Sequence, residues 1–118
     1  MTIKRIKAGP RMSQAVVHGN VVYLAGQVCP PDAGATSVGA QAKVILGQID
    51  ALLAEAGTSK QNLLSASIWL KDIGTFAEMN EVWDKWVAPG APPARATVEA
   101  RLAGPQYLIE VAVIAALS

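Results

Sequence analysis

Residues 38–56 run VGAQAKVILGQIDALLAEA. Val38, Ala42, Ile45, Leu46, Ile49, Leu52, Leu53 and Ala56 recur at steps of three and four, which gathers apolar side chains on one stripe of an α-helix. Gly57 follows, where a helix end favours a residue free to turn left-handed. The spacing therefore predicts a helix over 38–56. On either side the period changes. Upstream, Ala15–His18 and Val21–Ala25 flank Gly19-Asn20, a two-residue loop able to supply the positive φ angles of a β-hairpin. Gly26 to Ala35 carries two prolines and two glycines and ends that strand in a loop. Downstream, 63–70 has strand composition. A second helix starts at Thr75, with Glu78 at capping-box distance and Phe76, Met79, Trp83, Trp86 and Val87 on its apolar face. The run Pro89-Gly90-Ala91-Pro92-Pro93 stops it. Two final strands cover 94–102 and 107–117. The order is strand, strand, strand, helix, strand, helix, strand, strand. It predicts one α+β domain over 1–118, a single sheet with both helices on one face.

Composition adds a constraint. Of 118 residues, 52% are hydrophobic and only 16% charged, against about a quarter charged in an average soluble domain. A domain this small leaves about a third of its potential surface exposed. With so few charges, part of that surface is apolar, which marks an interface. The sheet face without helices needs a cover, and further copies of the chain are the simplest one. No apolar run reaches the roughly 18 residues of a membrane span. Met1–Lys7 lacks the apolar stretch of a signal peptide, and a single Cys fits a reducing compartment, so a cytoplasmic location is expected. The net charge of +1 argues against binding that depends on neutralising phosphates.

The common catalytic signatures are missing: no phosphate loop, dinucleotide fingerprint or zinc-binding His-Glu-x-x-His, and no nucleophile elbow. The one His, His18, sits beside the hairpin turn as a solvated residue. Cys29, in a proline-rich loop, is expected to be a partly buried, inert thiol. Glu110 is different. It interrupts Tyr107–Ala115, a strand apolar on both parities, so both faces are expected to be buried. A carboxylate there must be paired, hydrogen-bonded or put to use. Pairing at a subunit seam and general acid/base work both satisfy that demand. Arg95 enters its strand directly after Pro92-Pro93-Ala94, held stiffly by the prolines. There it can grip a carboxylate through two parallel hydrogen bonds or pair with a surface neighbour. Thr97, Glu99 and Arg101 share its face. Gly26, between Ala25 and Gln27, permits close approach to a ligand or simply a bulge. Asn80 is polar beside the apolar stripe of its helix.

Ser13-Gln14-Ala15-Val16, Val22-Tyr23-Leu24-Ala25-Gly26-Gln27, Phe76-x-x-x-Asn80, Pro93-Ala94-Arg95-Ala96-Thr97-Val98-Glu99 and Ile109-Glu110-Val111-x-x-Ile114-Ala115, in this order, resemble the Rid family of reactive intermediate deaminases, also called the YjgF/YER057c/UK114 family. The resemblance spans nearly the whole chain. It implies a chorismate-mutase-like fold and a homotrimer with a barrel-like core, with active sites in clefts between subunits. It also implies hydrolysis of enamines and imines derived from amino acids, of the 2-aminoacrylate or 2-iminobutanoate type, to 2-keto acids and ammonia, with no metal or organic cofactor. By the resemblance, Arg95 binds the substrate carboxylate and Glu110 positions the attacking water. Gly26 lines the pocket with its backbone, and Asn80 lies close by. Thr97 stands where many members have Cys, and its backbone N–H remains available to the carboxylate. Met12 stands where a Tyr is usual, and Ala25 where Ser is frequent. By the resemblance, the Thr97 replacement removes any thiol-dependent contact, while those at Met12 and Ala25 make the pocket more apolar and suit it to bulkier side chains. Two further readings remain: a non-catalytic trimer that binds small keto or imino carboxylates, and an endoribonuclease, which the sparse cations near Glu110 disfavour.

Overall fold

A computed structural model describes residues 2–118. Seven strands and two helices alternate: β1 (Ile3–Ala8), β2 (Ser13–His18), β3 (Val21–Leu24), β4 (Gln27–Val28), α1 (Val38–Ala56), β5 (Leu63–Leu70), α2 (Phe76–Trp86), β6 (Ala94–Glu99) and β7 (Ile109–Ala116). All strands join one sheet, in the order β1-β2-β3-β7-β5-β6, with β4 continuing β3 along β7. Neighbours are antiparallel except β5 and β6. The predicted α+β class, the hairpin at Gly19-Asn20 and both helices are present.

Helix α1 has the expected bounds. Ser37 caps its start by accepting from the Ala40 N–H. Gly57 ends it at φ 93°, with its N–H on the Ala54 carbonyl. Its buried stripe of Ile45, Leu46, Ile49, Leu52 and Leu53 lies on the sheet. Val22, Ile68, Leu70, Ile109, Val111 and Val113 form the sheet side of this core. Met79 and Trp83 of α2 complete it.

Three local expectations are corrected. Thr75 and Glu78 do not form a capping box: the Thr75 hydroxyl donates to the Asp72 carbonyl. Glu78 instead accepts from the Gly39 N–H at the start of α1, at 2.9 Å, where a carboxylate meets the positive end of the helix. The last two strands are shorter than predicted, since Ala100–Leu102 and Tyr107–Leu108 leave the ladder. Only one face of β7 is fully buried in the single chain. Ile109, Val111, Val113 and Ala115 lie under the helices, whereas Glu110, Ala112, Ile114 and Ala116 on the other face are half-buried. No helix among the described residues is long and apolar enough to cross a membrane.

Among the described residues, no further layer covers that second face. Register places Tyr23 beside Ile114 and Val16, and Val98 beside Trp69. Tyr23 is 46% exposed and Val98 50%. Part of the apolar surface that composition calls for therefore lies on this side of the sheet.

Candidate functional site

The sequence-derived site residues fall into two groups on opposite faces. Arg95 and Thr97 pair with Ala66 and Ile68, which are buried beneath the helices, so both point to the helix side of edge strand β6. The Arg95 guanidinium lies 5.3 Å from the Trp83 ring centre and 5.6 Å from that of Phe76, close enough for cation–π attraction. Asn80 shares their helix face, four residues after Phe76 and three before Trp83. The Asn80 Oδ1 and Thr97 Oγ1 atoms are buried without a hydrogen-bond partner. A buried polar atom left unpaired costs about 1–3 kcal/mol, so two of them beside an arginine point to a ligand that completes them.

Glu110 pairs with Trp69 on one side and Val28 on the other and faces the uncovered side. The reason for Gly26 is visible here. Tyr23 to Gln27 spans four steps, while the facing Ile114 to Val111 spans three, so Ala25-Gly26 forms a β-bulge. The φ of Gly26 is not positive; the requirement is space. A Cβ at Gly26 would overlap a Glu110 carboxylate oxygen and stand 2.9 Å from its Cδ. The bulge is thus a seat for the Glu110 carboxylate. Lys7–Glu55 is the one ion pair among the described residues, so Arg95 and Glu110 each face their surroundings without a salt bridge.

Within one chain the two groups do not meet. Arg95 is two strands from Glu110 and three residues along, about 14 Å by strand spacing and rise, with the sheet between them. Clefts of 300–420 Å³ lie beside Trp86, around Cys29, at Met12 and at Arg101, and neither Arg95 nor Glu110 lines them. Met12 is 57% exposed near the β1–β2 turn. Ala25 donates its N–H to Gln14, which holds the bulge against β2. His18 is exposed. Cys29 is buried, and burial, helped by Asp32, pushes its thiol above the ordinary range, which keeps it protonated and unreactive. No cluster of metal-ligating side chains occurs among the described residues.

Sequence reasoning missed three buried or half-buried glutamines. Gln41 bridges Ala35, Gln106 and Leu108, while Gln27 and Gln48 bracket the bulge. Glutamine carries no periodic signal. A buried strand interrupted by Gln27 was the available cue.

Known proteins resemble the chain throughout. The family model described as endoribonuclease L-PSP matches residues 2–117. A RutC family protein of Haemophilus influenzae is 45% identical over 98% of both chains. The RutC family protein YoaB of Escherichia coli is 43% identical over 99% of this chain and all of its own. Among solved structures, a YjgF family member from Neisseria meningitidis superposes with a TM-score of 0.96 at 42% identity, covering 100% of this chain and 97% of that one. The coverage, the shared single sheet with two helices and the matching motifs agree: the chain belongs to the YjgF/RutC family, whose model bears the L-PSP name.

Proposed function

We propose that this protein is a cytoplasmic hydrolase of reactive enamines and imines of amino acids, converting 2-imino acids to 2-keto acids and ammonia. In this reading it works as a homotrimer of chorismate-mutase-like type, and each site is shared between two chains. One observation carries the reading. A cation with unpaired polar neighbours occupies the helix side of edge strand β6, and a seated carboxylate occupies the uncovered face of β7. Neither half suffices alone, and the uncovered apolar face and the free edge of β6 favour association with further copies.

The chemistry follows from the residues. A 2-imino acid offers a carboxylate and an electrophilic C=N carbon. Arg95 binds the carboxylate through its planar fork, with its guanidinium backed by Trp83 and Phe76. That contact fixes the orientation of the carbon and reduces the entropic cost of attack. Glu110 takes a proton from water as the water oxygen adds to the carbon, and passes that proton to the imine nitrogen, giving a neutral carbinolamine and the free carboxylate again. Glu110 then takes the hydroxyl proton and delivers it to the nitrogen as the C–N bond breaks. Ammonia leaves, the ketone forms, and the carboxylate is regenerated. Proton transfer of this kind contributes about 10²–10⁴-fold, enough for a substrate that already hydrolyses in water.

The test is ammonia release from imines generated in situ by an amino-acid oxidase. The wild type should accelerate it, and Arg95→Ala and Glu110→Gln should each abolish the acceleration. Full activity in either variant overturns the assigned roles. Binding of keto acids that needs Arg95 but not Glu110, without turnover, would mark a carrier. Cleavage of RNA that survives both substitutions would return the family description to its literal sense.

A further inference from the structure

The bulge that seats Glu110 is held by two side-chain amides. Gln27 is 6% exposed and lies on the helix side, opposite Glu110. Its Nε2 donates to Gln14 Oε1 at 3.0 Å and to the Ala25 carbonyl at 3.1 Å. Its Oε1 accepts from Gln48 of α1 at 3.2 Å, and the same Gln48 nitrogen donates to the Val28 carbonyl at 3.2 Å. The two carbonyl acceptors fix which way both amides face, since a flipped amide would set oxygen against oxygen. Ala25 and Val28 are therefore bound on either side of Gly26, and α1 is tied to the bulge through the sheet. Gly26 is in direct contact with the Glu110 carboxylate, so slack in the bulge becomes displacement of the carboxylate.

We propose that Gln27 and Gln48 are positioning residues for the hydrolytic step: they clamp the Ala25–Val28 bulge so that Gly26 holds the Glu110 carboxylate in its working place. This rests on the hydrolase reading above. The relay touches neither Arg95 nor the substrate carboxylate, so it acts on the chemical step and not on binding.

The experiment compares Gln48→Leu, which keeps size and loses both donors, with Gln48→Lys, which retains donors at a half-buried position. With oxidase-generated imines, Gln48→Leu should lower kcat by about ten- to a hundredfold while KM stays within about twofold, because a displacement near 1 Å costs about that much. Gln48→Lys should recover most of the loss. A kcat within about twofold of wild type in Gln48→Leu, or a KM that rises in step with the fall in kcat, overturns the proposal. Amide hydrogen exchange at Ala25 and the carboxyl ¹³C resonance of Glu110 give a readout that does not require turnover. Gln48→Leu should speed the exchange and move the resonance while the β1–β2 hairpin keeps its protection. If the wild type fails to hydrolyse imines, the hydrolase reading falls, and these two signals decide the clamp by themselves. Unchanged exchange and an unmoved resonance would refute it.

Discussion

Gly26→Ala separates function from stability. The added Cβ would stand 2.9 Å from Glu110 Cδ and 3.2 Å from Cγ, and would overlap a carboxylate oxygen. Ordinary carbon contacts lie at about 3.5–4.0 Å, so the carboxylate must retreat by about 1 Å. Backbone strain does not enter, because Gly26 has no positive φ. Glu110 is only half-buried, so its side chain can swing away at a cost of about 0.5–1.5 kcal/mol. Replacing Gly by Ala where φ is ordinary returns about 0.4–1 kcal/mol through the unfolded state. The net change in stability should stay within about 1 kcal/mol, a few degrees in Tm. A 1 Å error in a catalytic group costs about a hundredfold, equivalent to about 2.7 kcal/mol in the barrier. The assay is oxidase-coupled ammonia release beside a thermal melt of the same preparation. Expected is a variant that melts like the wild type and has lost about 99% of its catalysed rate. Full activity would refute the seat. A fall in Tm matching the loss of activity would show that Gly26 serves packing instead.

Two further substitutions probe the surroundings. Thr97→Val removes a buried hydroxyl oxygen that has no partner among the described residues, so urea unfolding should show equal or slightly higher stability, while KM for an imino acid rises. Glu78→Ala deletes the acceptor at the α1 N-terminus. It should lower unfolding free energy by about 1 kcal/mol with kcat unchanged, and Glu78→Gln should recover part of that loss.

The sequence was most legible where side chains repeat. Val38–Ala56 announces its helix because each apolar step lands on the same buried stripe, and Gly57 ends it for a conformational reason visible in one letter. Gly19-Asn20 fixes the hairpin in the same local way. Glu78 misled because its partner, the Gly39 N–H, is 39 residues away; capping-box spacing describes only the local alternative. The residues of β7 are apolar on both parities, yet one face is half-open in the single chain. Arg95, Thr97 and Asn80 are singled out by motif in the sequence, but their placement on the sheet face opposite Glu110 is not legible there. Register decides it: Arg95 pairs with Ala66 and Glu110 with Trp69, three residues apart along β5, so the two side chains leave the sheet on opposite faces. The glutamine clamp was hidden because amide hydrogen bonds leave no pattern in the chain.

The most direct measurement mixes two inactive variants. Arg95→Ala and Glu110→Gln are purified separately, unfolded together and refolded, and the mixture is assayed for ammonia release from in situ imines. If each site takes Arg95 from one chain and Glu110 from its neighbour across a head-to-tail interface, random assembly restores about a quarter of the sites. The expected result is activity near that fraction, absent when each variant is refolded alone. A mixture as inactive as its components, in a preparation shown to contain both chains in one assembly, would contradict a site shared between subunits.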